Sequence, residues 1–228
     1  MNTYAFSFAG AALVARPSGA LHWPEAGLLC VSDLHLGKSA RQARRNGAQL
    51  PPYDVEDTLS RLEAEVEATG ATTVICLGDS FDDLQAFEAL PEAALDWITR
   101  LQAGRRWIWI EGNHDPGPVA LAGDHLAQFR LEGLTFRHIA SDDAPGEVSG
   151  HYHPKLRLRA ASRACFLVDA TRLILPAFGT YTGGLRCDDP ALDRLMAPNA
   201  LAILTGARAL AVPMRQNRSG RASSRRGR

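Results

Sequence analysis

Three short apolar runs constrain this chain more than any other feature. Residues 28–32, 73–77 and 107–110 are continuous hydrophobic stretches of the length expected for strands buried on both faces. Between the first two, Asp54 is placed to cap a helix whose apolar residues Val55, Leu59, Leu62 and Val66 recur at helical spacing, and Gly70 ends it. Between the second and third, Pro91 opens a helix through Leu95, Ile98 and Leu101 that stops at Gly104. Strand, helix, strand, helix, strand predicts a parallel sheet with right-handed crossovers.

The flanking sequence predicts more strands. Residues 4–8 and 11–15 suggest a hairpin, followed by a strand at 21–23. After residue 110 come short strands at 134–137, 147–149, 165–168, 173–175, 201–204 and 209–212. They imply a mixed or antiparallel second sheet, so the fold class is α/β, a sandwich. With 46% hydrophobic residues over 228, one core can form without disulfides or a structural metal. The expected domain is 1–214, and the Arg-, Ser- and Gly-rich residues 215–228 are expected to be a disordered tail.

The net charge of zero conceals an uneven distribution. Residues 215–228 hold six Arg and no acid, which leaves the rest of the chain 19 basic against 25 acidic residues. No apolar run approaches the ~20 residues that span a bilayer. No secretion signal is recognisable at the N-terminus, so a cytoplasmic location is expected. Cys30, Cys76, Cys165 and Cys187 are too far apart for a CxxC motif and read as small hydrophobes of a reducing compartment, with Cys187 the one placed for exposure.

The chemistry gathers where these strands end. After 28–32 comes Asp33-Leu34-His35, after 73–77 Gly78-Asp79-Ser80-Phe81-Asp82, and after 107–110 Gly112-Asn113-His114-Asp115. His138 follows a later strand, and Gly150-His151-Tyr152-His153-Pro154 follows another. Five of the seven histidines therefore lie in polar clusters at strand ends, where α/β sheets bind ligands. On an extended chain, Asp-x-His and His-x-His would turn both side chains to one side and Tyr152 to the other. Imidazole and carboxylate without sulfur suit Mn, Fe or Zn, and the glycines permit close backbone approach.

In this order the motifs resemble the calcineurin-like metallophosphoesterases: Asp-x-His at Asp33/His35, Gly-Asp-x-x-Asp at Asp79/Asp82, Gly-Asn-His-Asp at Asn113/His114, the isolated His138, and Gly-His-x-His at His151/His153. The stretches Gly37-Lys38, Arg44-Arg45 and 176–185 further resemble a bacterial subfamily, the ligase-associated DNA damage response endonucleases. The resemblance implies a four-layer sandwich of two mixed sheets flanked by helices, with two divalent metal ions, foremost Mn(II), with Fe or Zn as alternatives. One ion would take Asp33, His35, Asp79 and His153; the other would take Asp79, Asn113, His138 and His151. His125 is the rival for the isolated histidine. The chemistry implied is in-line attack on phosphorus by a hydroxide bridging metals roughly 3.5–4 Å apart. His114 would act as acid or phosphate donor, oriented by Asp82, with Asp83 as the neighbouring alternative.

Arg41, Arg44 and Arg45, in a loop or short helix after the first motif, are candidates for binding a nucleic-acid phosphate. The Gly-rich residues 179–184 lack a nucleotide-binding spacing and read as a cleft lining or a turn. The leading expectation is a phosphodiesterase acting on single-stranded DNA in repair, beside a DNA ligase and a helicase. A small-molecule phosphoesterase is the second reading, favoured by the acidic body. A metal-bearing partner of the ligase and helicase without turnover is the third.

Overall fold

The computed structural model describes residues 2–47, 50–117, 119–141, 145–158 and 161–215. The first sheet has seven strands in chain order: β1 (Tyr4–Phe8), β2 (Ala11–Ala15), β3 (Leu21–Trp23), β4 (Leu28–Val31), β5 (Thr73–Leu77), β6 (Arg106–Ile110) and β7 (Asp124–Leu126). β1 to β4 pair antiparallel through short turns. β4 to β7 pair parallel, as the crossover pattern predicts. Four helices accompany this sheet: α1 (Lys38–Asn46), α2 (Asp54–Thr69), α3 (Leu84–Glu88) and α4 (Glu92–Gln102).

The second sheet comprises β8 (Gln128–Leu131), β9 (Leu134–Arg137), β10 (Glu147–Ser149), β11 (Lys155–Leu158), β12 (Ala161–Val168), β13 (Arg172–Ile174), then β14 (Leu201–Leu204) and β15 (Leu210–Pro213) beyond α5 (Pro190–Leu195). Its order is β15-β14-β12-β13-β10-β9-β8, with β11 attached to β12. β10 is parallel to both β9 and β13 and the remaining pairs are antiparallel, so both sheets are mixed.

Three apolar clusters give the layers. Leu28, Cys30, Ile75, Leu77, Ile108 and Ile110 turn one way to meet Phe136, Phe166 and Leu173 of the second sheet. Their neighbours Leu29, Val31, Val74 and Cys76 turn the other way onto Leu59, Leu62 and Val66 of α2 and Ile98 of α4. This is why the central runs are apolar at every position: each residue has a core on its own side. The outer face of the second sheet packs Leu167, Ile174 and Ala202 on Leu192 of α5. Helices, sheet, sheet and helix form the expected four layers.

Several local expectations are corrected. Asp54 is the first residue of α2, not its cap; its carboxylate accepts from the Ser39 N–H (3.2 Å) and hydroxyl (2.5 Å), pinning the start of α1 to the start of α2. The segment around His125, where the sequence predicts no strand, is strand β7. Cys187 is buried, 3.7 Å from Cys165 sulfur to sulfur. Arg215, assigned to the tail, is described: it pairs with Asp193 of α5 at 2.8 Å. The rest of that tail, 216–228, lies outside the described residues.

Candidate metal centre

The polar clusters meet at the carboxyl ends of five strands, three from the first sheet and two from the second. The loops after β4 and β5 run side by side: the N–H groups of Asp33, His35 and Leu36 donate to the carbonyls of Gly78, Asp79 and Ser80, and that of Asp82 donates to Leu36. Asp33, His35, Asp79, His151 and His153 all have positive φ, between 45° and 70°. The sequence argument from alternation along an extended chain is therefore corrected. Both members of each pair do reach one site, but through left-handed kinks that non-glycine residues adopt at an energetic cost.

Glycine permits the closeness. A Cβ on Gly150 would overlap the Ser32 hydroxyl, and one on Gly112 would overlap the Asp79 main chain and carboxylate. The two sheets could not approach with any larger residue at 150.

Asp79 lies at the centre. Its Oδ2 is 3.3 Å from His138 Nε2 and 4.0 Å from Nε2 of both His35 and His114, while its Oδ1 accepts from the His114 N–H at 2.8 Å. To one side, Asp33 Oδ1 lies 3.1 Å from His153 Nε2, which is 3.4 Å from His35 Nε2. To the other, His138 Nε2 is 3.0 Å from Asn113 Oδ1 and 3.3 Å from His151 Nδ1. The side chains Asp33/His35/His153 and Asp79/His138/His151 each bring ligand atoms within 4.8 Å of one another. All seven residues expected as ligands are therefore gathered. His138, not His125, joins them: His125 faces the Leu121 carbonyl and lies along Trp109.

The hydrogen bonds behind the centre fix which nitrogens look inward. His138 Nδ1 is 3.0 Å from the Leu77 carbonyl and His35 Nδ1 is 2.8 Å from Asp82 Oδ1. Each Nδ1 must donate there, so each Nε2 presents a lone pair to the centre. Lone pairs of imidazole, carboxylate and amide oxygen thus converge with no proton to share. Such a set is self-repelling unless a cation occupies it, and the residues fit divalent metal ions.

Electrostatics agree. Burial opposes ionisation of Asp79, yet the His138 hydrogen bond and charge, with the His114 N–H, hold its pKa down to about 2. Asp33 is likewise lowered against burial by His153, His138 and the Ser32 hydroxyl. Burial lowers His35 and His151, keeping them neutral and able to ligate. His138 is raised despite burial, because Asp79 and Asp33 attract a proton where a metal would otherwise sit.

Asp82 plays a different part from the one expected. His114 Nδ1 bonds the Asp82 main-chain carbonyl at 2.8 Å, so the peptide, not the carboxylate, orients His114. The Asp82 carboxylate instead serves His35 and is itself gripped by Lys38 (3.1 Å) and Arg41 (3.0 Å). Burial would raise this carboxyl, but His35, Arg41 and Lys38 hold it well below the usual range. His114 is 28% exposed and, beside the exposed Asn113, sits where a substrate can reach it.

The arginines divide. Arg41 is bound to Asp82 and to Asp83 (3.1 Å), and Arg44 to Asp83 (3.2 Å). Only Arg45, exposed in the last turn of α1, has no acidic partner among the described residues. Asp83 caps α3 through the Ala86 N–H rather than touching His114.

Sequence reasoning assigned no role to Ser32, Lys38 or Asp115. Asp115 accepts from the N–H groups of Ser80 (2.8 Å), Phe81 (3.2 Å) and Gly112 (3.1 Å), tying the second motif to the third. Burial, with the nearby Asp79 charge, still pushes it up to about 6. Its place in the Gly-Asn-His-Asp run was the signal available.

Two sets of donors sharing one buried carboxylate, with a histidine on the open side, define a dinuclear-metal-binding site of a phosphoesterase. The chain belongs to the calcineurin-like phosphoesterases, whose family model matches residues 27–162. Among solved structures it is similar to the Pseudomonas putida nuclease MPE, with 28% identity, a TM-score of 0.74, and coverage of 92% of this chain and 100% of that one. It also aligns with YfcE, a phosphoesterase from E. coli, at 17% identity and a TM-score of 0.36, over 69% of this chain and 83% of that one. No curated protein matches the sequence at a significant level. The fold and donor set make this a metal-dependent hydrolase. No helix among the described residues is long and apolar enough to cross a membrane.

Proposed function

We propose that this hydrolase is a phosphodiesterase acting on single-stranded DNA, in the cytoplasm, as part of repair and in company with a ligase and a helicase. One observation carries the reading: a shared Asp79 between two donor sets, with His114 poised on the open side. The similarity to a nuclease along nearly the whole chain supports a nucleic acid as the substrate.

Asp33, His35, Asp79 and His153 would hold one ion, and Asp79, Asn113, His138 and His151 the other, with Mn(II) the favoured metal. When bound, the ions supply Lewis acidity to the phosphate and a water acidified toward neutral pH. The protein residues do the rest. Asp82 and the Leu77 carbonyl keep the His35 and His138 lone pairs turned inward. The Asp82 carbonyl holds the proton of His114 on Nδ1, leaving Nε2 to donate to a phosphate oxygen when protonated, or to pass that proton to the departing alkoxide. Arg45, with the exposed part of Arg44, is placed to meet a strand phosphate.

A small-molecule phosphoesterase is the second reading. A cleft of about 420 Å³ bordered by Asn113, His138, Ile139 and Arg137 has room for one nucleotide, and residues 1–214 carry net negative charge.

The test is hydrolysis of bis(p-nitrophenyl) phosphate and of labelled single-stranded DNA with Mn(II), for the unmodified protein, Asp79→Asn and His114→Ala. Cleavage of both substrates, abolished by chelator and in Asp79→Asn and reduced about 10²-fold or more in His114→Ala, is expected. Turnover of the chromogenic diester alone would move the assignment to a small phosphoester. No turnover with Mn(II), Fe(II) or Zn(II) would leave the role of a metal-bearing partner.

A further inference from the structure

The glycine-rich residues 179–184 are a sequence feature that the metal centre does not absorb. Both ends of this loop are fastened to the centre's own main chain. The Phe178 N–H donates to the Ser32 carbonyl (2.8 Å), and the Gly179 N–H donates to the Asp33 carbonyl (3.0 Å). Gly184 lies so close to His153 that a Cβ there would overlap the His153 carbonyl, and Leu185 donates to Tyr152 (3.0 Å). Between these anchors, Lys155 holds the Thr182 carbonyl (3.0 Å) and Thr58 accepts from the Thr180 N–H (3.1 Å). The apex is Tyr181, at a φ of 63°. Glycine would adopt that conformation freely and occupies 179, 183 and 184, yet a bulky aromatic stands here.

The Tyr181 ring packs on Tyr53, with centroids 5.8 Å apart and planes tilted by 53°. Tyr53 precedes α2 and is 51% exposed, the largest value among the exposed large hydrophobic residues described. Its position relative to the centre follows from hydrogen bonds already given. Tyr53 adjoins Asp54, which grips Ser39; Ser39 adjoins Lys38, which grips Asp82, the partner of His35. The intervening helix α1 carries Lys38, Arg41, Arg44 and Arg45 and no acidic residue. Two more of the exposed large hydrophobics adjoin residues at or beside the centre: Leu84 follows Asp83, and Ile139 follows His138 and lines the cleft by Asn113. An apolar rim around a phosphoester site suits a substrate that has flat apolar faces as well as phosphates.

We infer that Tyr53 and Tyr181 form a stacking platform for a nucleobase of a single strand whose phosphates cross α1 toward the metal centre. The inference rests on the nuclease reading and names the base-contacting subsite for it. Stacking between neighbouring base pairs in a duplex would cover the face that the platform takes, so the platform also selects single strands. Stacking on tyrosine is tolerant of base identity, because every base offers a π-face.

The test compares kcat/KM for a labelled single-stranded oligonucleotide and for bis(p-nitrophenyl) phosphate, both with Mn(II), in the unmodified protein, Tyr53→Ala, Tyr181→Ala and the two Phe variants. The expected result is a fall of about tenfold in the oligonucleotide-to-diester ratio for each Ala variant, mainly through KM, with the Phe variants keeping the ratio. In addition, an abasic position moved along the oligonucleotide lowers kcat/KM at one place in the unmodified protein, and that effect vanishes in Tyr53→Ala. An unchanged ratio in the Ala variants overturns the platform, as does a parallel loss on both substrates, which would mean the pair only holds the loop in place. An abasic effect that survives both Ala variants overturns it too. Unmodified protein that hydrolyses the diester but no oligonucleotide overturns the nuclease reading itself, and the platform with it.

Discussion

Asp82 is none of the seven residues expected to ligate, yet it governs one of them. Its carboxylate accepts a hydrogen bond from His35 Nδ1–H and is held by Lys38 and Arg41, so it keeps His35 in the tautomer that ligates. Asp82→Ala is expected to weaken Mn(II) binding 10–100-fold in calorimetric titration, with activity partly restored by excess Mn(II). Binding equal to that of the unmodified protein would show that His35 needs no such partner. The residues gathered at the centre, the isolated His138 apart, were legible in the sequence because they belong to short motifs directly after predicted strands. Asp82 was legible as a residue but not in its role, since His35 and His114 are both within its reach and only coordinates show that the carboxylate takes one and the carbonyl the other. Away from the centre, Asp169 accepts from the N–H groups of Ala197, Thr171 and Arg172. Burial would raise its pKa, but these bonds keep it lowered. A lowered carboxyl contributes stability above its unfolded value of about 3.9, and that contribution is lost as pH falls through the folded value. Thermal melts from pH 5 to pH 2.5 should therefore fall less steeply in Asp169→Asn than in the unmodified protein.

At the scale of elements, the parallel core β4-β5-β6 with α2 and α4 could be read almost directly, since unbroken apolar runs and helical periodicity leave few alternatives. The short pieces were not. β7, β8 and β11 have three or four residues each, too few to display a period, and Leu156 is the one buried residue among them. The helix α1 has no apolar stripe at all; it is held by Asp54 beneath its first turn and by Asp82 and Asp83 beside it. Its stability is thus electrostatic and tertiary, which a propensity argument does not see. Ser39→Ala would leave the buried Asp54 carboxylate short of a donor and is expected to cost about 1–3 kcal/mol in urea unfolding. The turn after β10 gives a sharper case. Gly150→Ala would push β10 off Ser32 and Asp33, so a loss of about 1–3 kcal/mol together with loss of diester hydrolysis is expected. Retained hydrolysis in that variant would mean the sheets can separate without harm to the centre.

For the molecule as a whole, the centre joins two sheets that elsewhere meet mainly across an apolar interface. Divalent metal that binds the folded chain alone must stabilise it, by about 2.7 kcal/mol at a hundredfold excess over Kd. For a chain of this size that corresponds to a rise in Tm of roughly 5–10 °C, reversed by chelator and readable by calorimetry. The sandwich could be anticipated from strand number and from the polar clusters that had to meet. The order of the second sheet could not, because β10 lies between β9 and β13 by long-range pairing that leaves no local trace. The same spread of parts has a consequence during synthesis. Ligating side chains are drawn from residues 33 to 153, and the Asp33 turn is braced from behind by Phe178 and Gly179. A chain emerging from the ribosome therefore carries no complete catalyst until most of its length is made and both sheets have docked. A fragment released early lacks part of the donor set or the brace behind Asp33, and is expected to leave phosphate esters around it uncut.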